Sequence, residues 1–282
     1  MLENFSEMLK KAKKEKYAIA QFNINNLEWT KFILEECNQL EVPVILGVSE
    51  SAVKHMGGYN VVVNIVKSLI KDLNIVIPVC LHLDHGKSID ECIKAIDAGF
   101  TSVMIDVSKK SLQENITATR NVVEYAHKNK VTVEAEIGYI GESSDESLMT
   151  NATLEDCIKI YEGTDIDALA PALGSVHGFY KKEPNLDFEK MSQIKEYLPI
   201  PLVLHGGTGI PREDIKKAIN SGISKININT ELQNVWSKAV RKYLEENSEV
   251  YDPRKIINSG ETAIKNKIKE YIELFETKKY NK

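Results

Sequence analysis

The chain has 282 residues, with 36 basic and 41 acidic side chains and therefore a formal charge of −5. Hydrophobic residues make up 43% and charged residues 27%, which excludes a disordered chain and a coiled coil. No apolar run reaches the ~18 residues of a membrane span, and the acidic balance argues against nucleic acid as a partner. Four separated cysteines without a Cys-x-x-Cys pair fit a reduced, cytoplasmic protein.

Short apolar runs alternate with amphipathic segments along the whole chain. Near-continuous apolar strands are typical of a parallel sheet that helices cover on both faces. Eight of them favour a (β/α)8 TIM barrel over a doubly wound sheet. We therefore predict one barrel domain over residues 1–282, with extra C-terminal helices. The eight runs are Ala18–Phe22, Val44–Val48, Val79–Leu83, Ser102–Ile105, Val131–Ala135, Ala168–Ala170, Pro201–Leu204 and Lys225–Ile228.

Three helices carry recognisable boundary residues. One is expected to begin after Ser88 and to stop at Gly99, and another to begin after Thr153 and to stop at Gly163. Pro253 is placed to open a last helix at its first position.

Histidines follow several of the predicted strands. Barrel enzymes carry their active sites at the carboxyl ends of the strands, where the βα loops begin. Three neutral imidazoles with an open fourth position form a known catalytic zinc arrangement. We predict His85, His177 and His205 as zinc ligands, although they lie far apart in the sequence. His82 lies an odd number of residues from His85, so we expect it to face away and to be structural.

Carboxylates stand at three of the same strand ends. Asp84 precedes a predicted zinc ligand, and its chemistry suits either a general acid/base or an orienting partner of a ligand histidine. Asp106 and Glu136 follow the next two strands. They are interpreted either as ligands of a second cation or as partners of barrel lysines.

The residues after the last two strands indicate a phosphate site. Gly206-Gly207-Thr208-Gly209 follows the seventh run, and Asn227-Ile228-Asn229-Thr230 closes the eighth. This is the usual phosphate position of a barrel, where glycine exposes backbone N–H groups to an anion. A metal, a carboxylate and a phosphate site together indicate a phosphorylated carbonyl substrate, next to whose carbonyl a carbon–carbon bond forms or breaks.

These motifs resemble the class II, zinc-dependent fructose-bisphosphate aldolases and their tagatose-bisphosphate relatives. The match starts near Phe22-Asn23, passes through the strand-end motifs and ends at Tyr251-Asp252-Pro253-Arg254. Gly207-Thr208 stands where tagatose-type relatives usually read Ala-Ser, which favours the fructose type. The resemblance implies reversible cleavage of fructose 1,6-bisphosphate to dihydroxyacetone phosphate and glyceraldehyde 3-phosphate, with Asp84 moving the proton of the C4 hydroxyl.

The resemblance also implies further cofactors and partners. Asp106 and Glu136 correspond to a second or alternative divalent position, and a monovalent cation (Na⁺ or K⁺) near the phosphate loops is common in the family. Arg254 corresponds to a residue that reaches a neighbouring subunit's site, which implies a homodimer. The implied substrate-binding residues are Gly178, Gly206, Gly207, Thr208, Asn227, Ile228, Asn229, Thr230, Ser49 and Arg254.

The loop after the fifth strand departs from the family pattern. Where relatives carry a double glycine followed by acids, this chain reads Gly141-Glu142-Ser143-Ser144-Asp145-Glu146. One acid is expected to act on the triose C–H proton. Glu142 is our first choice, and Asp145 and Glu146 are the other candidates.

Four other readings of the sequence remain open. A tagatose-bisphosphate or other ketose-bisphosphate aldolase would differ by the orientation of one hydroxyl. A non-catalytic phosphosugar-binding barrel would follow if the altered loop lacked its base. A metal-dependent hydrolase is disfavoured because the first strand lacks the usual His-x-His. A Schiff-base aldolase using Lys225 would leave the three histidines without a purpose.

Overall fold

The computed structural model describes residues 2–141 and 149–281. Their strands form a closed barrel of eight parallel strands in chain order, in which β1 pairs with both β2 and β8. The predicted TIM barrel is confirmed, and each predicted run overlaps one observed strand. The strands are β1 Ile19–Asn23, β2 Val44–Ser49, β3 Val79–Gly86, β4 Ser102–Ile105, β5 Thr132–Ile137, β6 Ala168–Pro171, β7 Leu202–Leu204 and β8 Ile223–Ile228.

Helices surround this barrel and return the chain from one parallel strand to the next. The predicted C-terminal helices follow β8. In chain order the helices are α1 Ser6–Glu15, α2 Leu27–Gln39, α3 Glu50–Met56, α4 Tyr59–Asp72, α5 Ile89–Ala98, α6 Leu112–Lys128, α7 Leu154–Thr164, α8 Phe188–Tyr197, α9 Arg212–Asn220, α10 Thr230–Glu246, α11 Pro253–Asn258 and α12 Glu261–Leu274, and a 3-10 helix follows at Thr277–Asn281.

Two of the predicted helix ends need correction. The Ser88 side chain accepts from Glu91 N, and Gly99 ends α5 at a φ of 108°, as expected. Gly163, however, lies inside α7, which ends at Thr164; the left-handed position beyond it is taken by Asp165, at a φ of 59°. Pro253 does open α11, but α11 is not the last helix, because α12 continues the chain.

Apolar side chains fill two regions of the fold. The larger lies between the strands and the surrounding helices. The smaller lies at the amino-terminal end of the barrel, where Phe5 and Leu9 of the α1 region pack with Ile19, Ile45 and Cys80. Since side chains alternate along a strand, the inward positions two and four residues further on are closer to the mouth. Those positions carry the polar residues of the site.

Both ends of the chain contact the barrel. Glu3 N donates to Val79 O of β3, and Thr277 Oγ1 donates to Ala18 O just before β1. These contacts are consistent with the predicted single domain over residues 1–282. Among the helices of residues 2–141 and 149–281, none combines the length and apolar character needed to cross a membrane.

Candidate active site

The end of β3 has irregular geometry that brings two adjacent side chains to the mouth. The register between β3 and β4 shifts between Leu83 and Gly86, and His85 adopts a left-handed φ of 55°. In a regular strand, Asp84 and His85 would point to opposite faces. The irregularity lets both line the same cleft. A non-glycine residue in this conformation is strained, and such strain is often found at functional sites.

The three predicted zinc ligands converge at the mouth. The ring centroid of His85 lies 5.0 Å from that of His177 and 4.7 Å from that of His205, and the centroids of His177 and His205 are 5.8 Å apart. One nitrogen of each ring lies within 4.8 Å of the others. The expectation that His82 faces away is wrong, because the irregular strand end breaks the alternation: its fully buried ring lies inside the barrel, with Nδ1 2.7 Å from Ser102 Oγ and Nε2 3.7 Å from Glu134 Oε2.

Carboxylates fix which nitrogens of two rings face the cluster. His85 Nδ1 donates to Asp106 Oδ2 at 2.8 Å, and His205 Nε2 donates to Glu134 Oε1 at 2.8 Å. Because an ionised carboxylate can only accept, these nitrogens carry the protons. The opposite nitrogens, His85 Nε2 and His205 Nδ1, lie 3.0 Å apart. Two imidazole ligands of a tetrahedral zinc ion stand about 3.3 Å apart, so the donor set fits zinc.

The electrostatics of the cluster also suit a cation. Burial lowers the pKa of His85, but the hydrogen bond to Asp106 and the charges of Asp84 and Glu136 outweigh it and raise that pKa to about 10. Burial and the neighbouring His85 and His205 lower the pKa of His177 to about 3. Without metal, His85 therefore carries a second proton, on Nε2, in addition to the one on Nδ1. A bound cation would take the place of this second proton.

Asp84 is held as an ionised carboxylate beside the cluster. It is 7% exposed, accepts from Asn23 Nδ2 at 2.7 Å, and lies 3.9 Å from His85 Nε2. Burial opposes ionisation, but His85, His205 and Lys225 outweigh it and hold the pKa of Asp84 well below its usual range. The carboxylate is therefore ionised beside the cluster and can accept a hydrogen bond there.

A second acidic group lies on the other side of His85. His85, Asp106 and Glu136 form another possible metal-holding set, and Ser108 Oγ lies 2.7 Å from Asp106 Oδ1 and 3.1 Å from Glu136 Oε1. Burial and the charge of Asp106 raise the pKa of Glu136 to about 8. This set uses His85 Nδ1, the nitrogen that now donates to Asp106. Asp106 therefore orients a predicted zinc ligand in this structure.

The histidines open into a cleft of about 710 Å³. Ser49 lines it, although its hydroxyl also accepts from Ala52 N as the N-cap of α3. Two predicted binding residues do not face it: Gly207 N donates to Asn227 O, and the Ile228 side chain is fully buried. The other predicted phosphate residues that line it are Gly178, Gly206, Thr208, Asn227, Asn229 and Thr230.

Arg254 lies outside the cleft of its own chain. It borders a separate shallow cavity, and its guanidinium pairs with Asp252 at 2.8 Å. Its side chain is 86% exposed, so it is accessible to another molecule. The predicted loop acids Glu142, Asp145 and Glu146 lie outside the described residues.

Sequence reasoning missed several residues of the site. Asn23 is the last residue of β1 and donates to Asp84. Because it stands at a strand end, it could have been predicted as a site residue. Glu134 and Lys225 lie within strands, where no local motif marks them as partners. Lys225 is fully buried and pairs with Glu134 at 2.8 Å, so it does not present an amine to the cleft as a Schiff-base aldolase requires. Further cleft residues are Lys87, Lys109, Lys110 and Tyr139.

Comparison with known protein families agrees with this geometry. The family model described as fructose-bisphosphate aldolase class-II matches residues 3–280. The chain belongs to the class II fructose-bisphosphate aldolase family. The predicted family is confirmed, and so is the prediction that the protein is a lyase.

Individual relatives extend the same result. This class II aldolase is 54% identical over 267 residues to a fructose-bisphosphate aldolase of Geobacillus stearothermophilus, covering 94% of this chain and 93% of that protein. It is 52% identical over 279 residues to one from Staphylococcus aureus, covering 98% of each. Among solved structures, the YdjI aldolase of Escherichia coli superposes with a TM-score of 0.86 at 31% identity, covering 99% of this chain and 98% of that one.

Proposed function

We propose that the chain catalyses the reversible, zinc-dependent cleavage of fructose 1,6-bisphosphate into dihydroxyacetone phosphate and glyceraldehyde 3-phosphate. The observation that carries the proposal is the convergence of three imidazoles and the ionised Asp84 in one cleft with the loops after β7 and β8. Family membership and the names of the close relatives support the same substrate.

The residues of the chain divide the chemistry among them. His85, His177 and His205 would hold the metal, which as a Lewis acid polarises the substrate carbonyl and stabilises the negative charge that develops there. Asp84 accepts the proton of the C4 hydroxyl as the C3–C4 bond breaks. Exposed N–H groups and the Thr208 hydroxyl bind the triose phosphate at the edge of the barrel.

A second proton must return to the triose carbon after cleavage. We assign it to an acid of the loop 142–146, with Glu142 as first choice. Exchange of the C–H proton of dihydroxyacetone phosphate into D₂O measures this step alone. Glu142→Gln is expected to abolish the exchange, whereas Asp145→Asn and Glu146→Gln leave it; exchange that survives in Glu142→Gln assigns the role elsewhere.

Metal removal tests the proposal as a whole. In a coupled assay of triose phosphate formation, the protein purified with zinc should cleave fructose 1,6-bisphosphate. EDTA treatment followed by removal of the chelator should reduce turnover at least a hundredfold, and added Zn²⁺ should restore it. Full activity after metal depletion, verified by elemental analysis, would refute the zinc mechanism. Trapping of substrate by borohydride would point to a Schiff base instead.

The preference for fructose over tagatose is a finer part of the proposal. The two bisphosphates differ in one hydroxyl, a difference worth about 1–3 kcal/mol unless a buried polar partner is left without a hydrogen bond. We expect kcat/KM to be at least tenfold higher for fructose 1,6-bisphosphate, measured for both sugars with the same coupling enzymes. An equal or reversed ratio would make the chain a tagatose-type or general ketose-bisphosphate aldolase.

Other features are proposed from the family resemblance. A second divalent ion at Asp106 and Glu136, a monovalent cation near the phosphate loops, a homodimer and a cytoplasmic location are all consistent with a glycolytic enzyme. The pairing of Asp106 and Glu136 with one histidine supports the second divalent position. Elemental analysis of the purified protein, with the zinc content expressed per chain, distinguishes one tightly held ion from two.

A further inference from the structure

A buried ion pair lies one layer below the cleft. Glu134 of β5 and Lys225 of β8 are both 0% exposed, and Lys225 Nζ lies 2.8 Å from Glu134 Oε2. Neither residue lines the cleft. The desolvation of two buried charges often exceeds their mutual attraction, so such a pair is a poor source of stability. The contacts that the two side chains make towards the mouth indicate a different role.

Glu134 determines the state of one metal ligand. Its Oε1 accepts from His205 Nε2 at 2.8 Å while its Oε2 faces Lys225. Lys225 Nζ lies 2.8 Å from Oε2 and supplies the counter-charge of this buried carboxylate, so Oε1 stays an acceptor for His205. With the proton fixed on Nε2, His205 keeps the lone pair of Nδ1 directed at His85 and the metal position.

Lys225 determines the orientation of an amide beside Asp84. Lys225 Nζ donates to Asn227 Oδ1 at 2.9 Å, which leaves the Asn227 Nδ2 group between Asp84 Oδ1, 3.5 Å away, and the ring nitrogens of His205, each 3.4 Å away. The other oxygen of Asp84, Oδ2, also faces an oriented amide. It accepts from Asn23 Nδ2, and Asn23 Oδ1 in turn accepts from Gln21 Nε2 at 3.3 Å. Both oxygens of the carboxylate therefore face amides that buried donors hold in one orientation.

We infer that the Glu134–Lys225 ion pair positions the metal site and the acid/base residue together. Through Glu134 it holds His205 in the tautomer that binds metal, and through Lys225 it holds Asn227 towards Asp84. Both are positioning residues and touch no reacting atom. The Asp84 half of the inference rests on the proposed function, whereas the His205 half concerns metal affinity alone.

Two double variants separate positioning from simple stability. In Glu134→Leu/Lys225→Met both charges are replaced by apolar side chains of similar size, so no charge is left unpaired. We expect the metal-free protein to unfold at a temperature near that of the wild type. Its zinc affinity, measured by competition with a chelator, should fall 10- to 100-fold, and kcat should fall at least tenfold. Wild-type zinc affinity and kcat in this variant would overturn the inference.

Glu134→Gln/Lys225→Met is the conservative counterpart. Its amide oxygen can still accept from His205 Nε2, so zinc affinity should return to within about threefold of the wild type. Asn227 remains without its lysine donor, so kcat should stay low while KM changes little. Restoration of kcat together with zinc affinity would remove Lys225 from the inference. Because this variant is nearly isosteric, it also serves if the apolar variant does not fold.

A matched control comes from an ion pair remote from the mouth. Lys265 of α12 lies 2.8 Å from Glu35 and 22% of its side chain is exposed. Lys265→Met should lower the unfolding temperature and leave zinc affinity and kcat unchanged. If the wild type binds zinc but does not cleave fructose 1,6-bisphosphate, the proposed function fails, while the zinc affinities still decide the role of Glu134.

Discussion

At the scale of single residues, the site depends on hydrogen bonds that give each titratable group one state. Asp106 and Glu134 place the protons of His85 and His205 on the nitrogens that face away from the proposed metal position. Asn23 donates to Asp84 and orients it, while the charges around it keep this carboxylate ionised. Two predictions concern these residues.

Asp84→Asn should abolish most of the turnover while leaving the metal in place. The amide is nearly isosteric but cannot accept the C4 hydroxyl proton, so kcat should fall by about 10²- to 10⁴-fold. Zinc content should stay at the wild-type level, because the three histidines are unchanged. Asp97→Asn, at a carboxylate of α5 bonded by Tyr125, is the control and should retain full turnover. Wild-type kcat in Asp84→Asn would remove Asp84 from its role.

Zinc binding should strengthen as pH rises. The pKa of His85 is raised to about 10 in the metal-free protein. At any lower pH, zinc must displace that proton, so the apparent association constant should rise by about tenfold per pH unit near neutrality. Calorimetry in buffers of different ionisation enthalpy should show one proton released per zinc. In Asp106→Asn one of the charges that raise this pKa is gone, so the slope should flatten. An association constant that does not change with pH in the wild type would contradict the prediction.

At the scale of elements, the loops at the strand ends set the shape of the cleft. Gly206, two residues beyond the end of β7, has a φ of 67°, and a Cβ there would lie 2.0 Å from Val176 O. This close approach joins the loop after β6, which carries His177, to the phosphate loop after β7. The glycine is therefore required by the packing of two loops as well as by its own backbone conformation.

Gly206→Ala should destabilise the protein and loosen the phosphate loop. Backbone strain alone costs about 1–3 kcal/mol, which corresponds to a drop in the unfolding temperature of roughly 2–4 °C for each kcal/mol in a chain of this size. The KM for fructose 1,6-bisphosphate should rise as well. Gly58→Ala is the matched control, since Gly58 has a φ of 121° but no atom within 4 Å of an added Cβ. It should lose stability without a change in KM; equal effects on KM in both variants would contradict the clash argument.

At the scale of the whole molecule, the role proposed for Arg254 requires a second copy of the chain. It lies outside the cleft of its own chain, with an exposed side chain paired to Asp252. If it serves a partner's site, the protein must be at least a dimer. Light scattering after gel filtration should then give twice the chain mass of 31.8 kDa. A monomer with full activity would exclude service in trans.

Mixed dimers test the direction of this contact. Arg254→Ala should raise the KM for the bisphosphate, and Asp84→Asn should abolish turnover. If Arg254 acts across a two-fold interface, a dimer of one Arg254→Ala chain and one Asp84→Asn chain has one intact site. Co-expressed with two affinity tags and purified through both, it should show about half of the wild-type activity. Activity no higher than that of the Arg254→Ala homodimer at low substrate would place Arg254 in its own chain's site.

The sequence determined the barrel, its eight strands and the placement of three histidines at one end of it. Buried parallel strands read as continuous apolar runs, and the carboxyl ends of such strands must meet at one mouth. Residues at those ends were therefore open to prediction even though His85 and His205 are 120 positions apart. Asp84 was located in the same way.

The tertiary structure alone decided how those side chains are oriented. Three features depend on contacts between strands that are distant in sequence. They are the left-handed backbone of His85, the ion pair of Glu134 with Lys225, and the hydrogen bond from Gly207 N to Asn227 O. A lysine inside a strand looks the same in sequence whether it faces substrate or a buried carboxylate. The physical reason is that strand order fixes which residues reach the mouth, whereas hydrogen-bond partners across the barrel fix their protonation and direction.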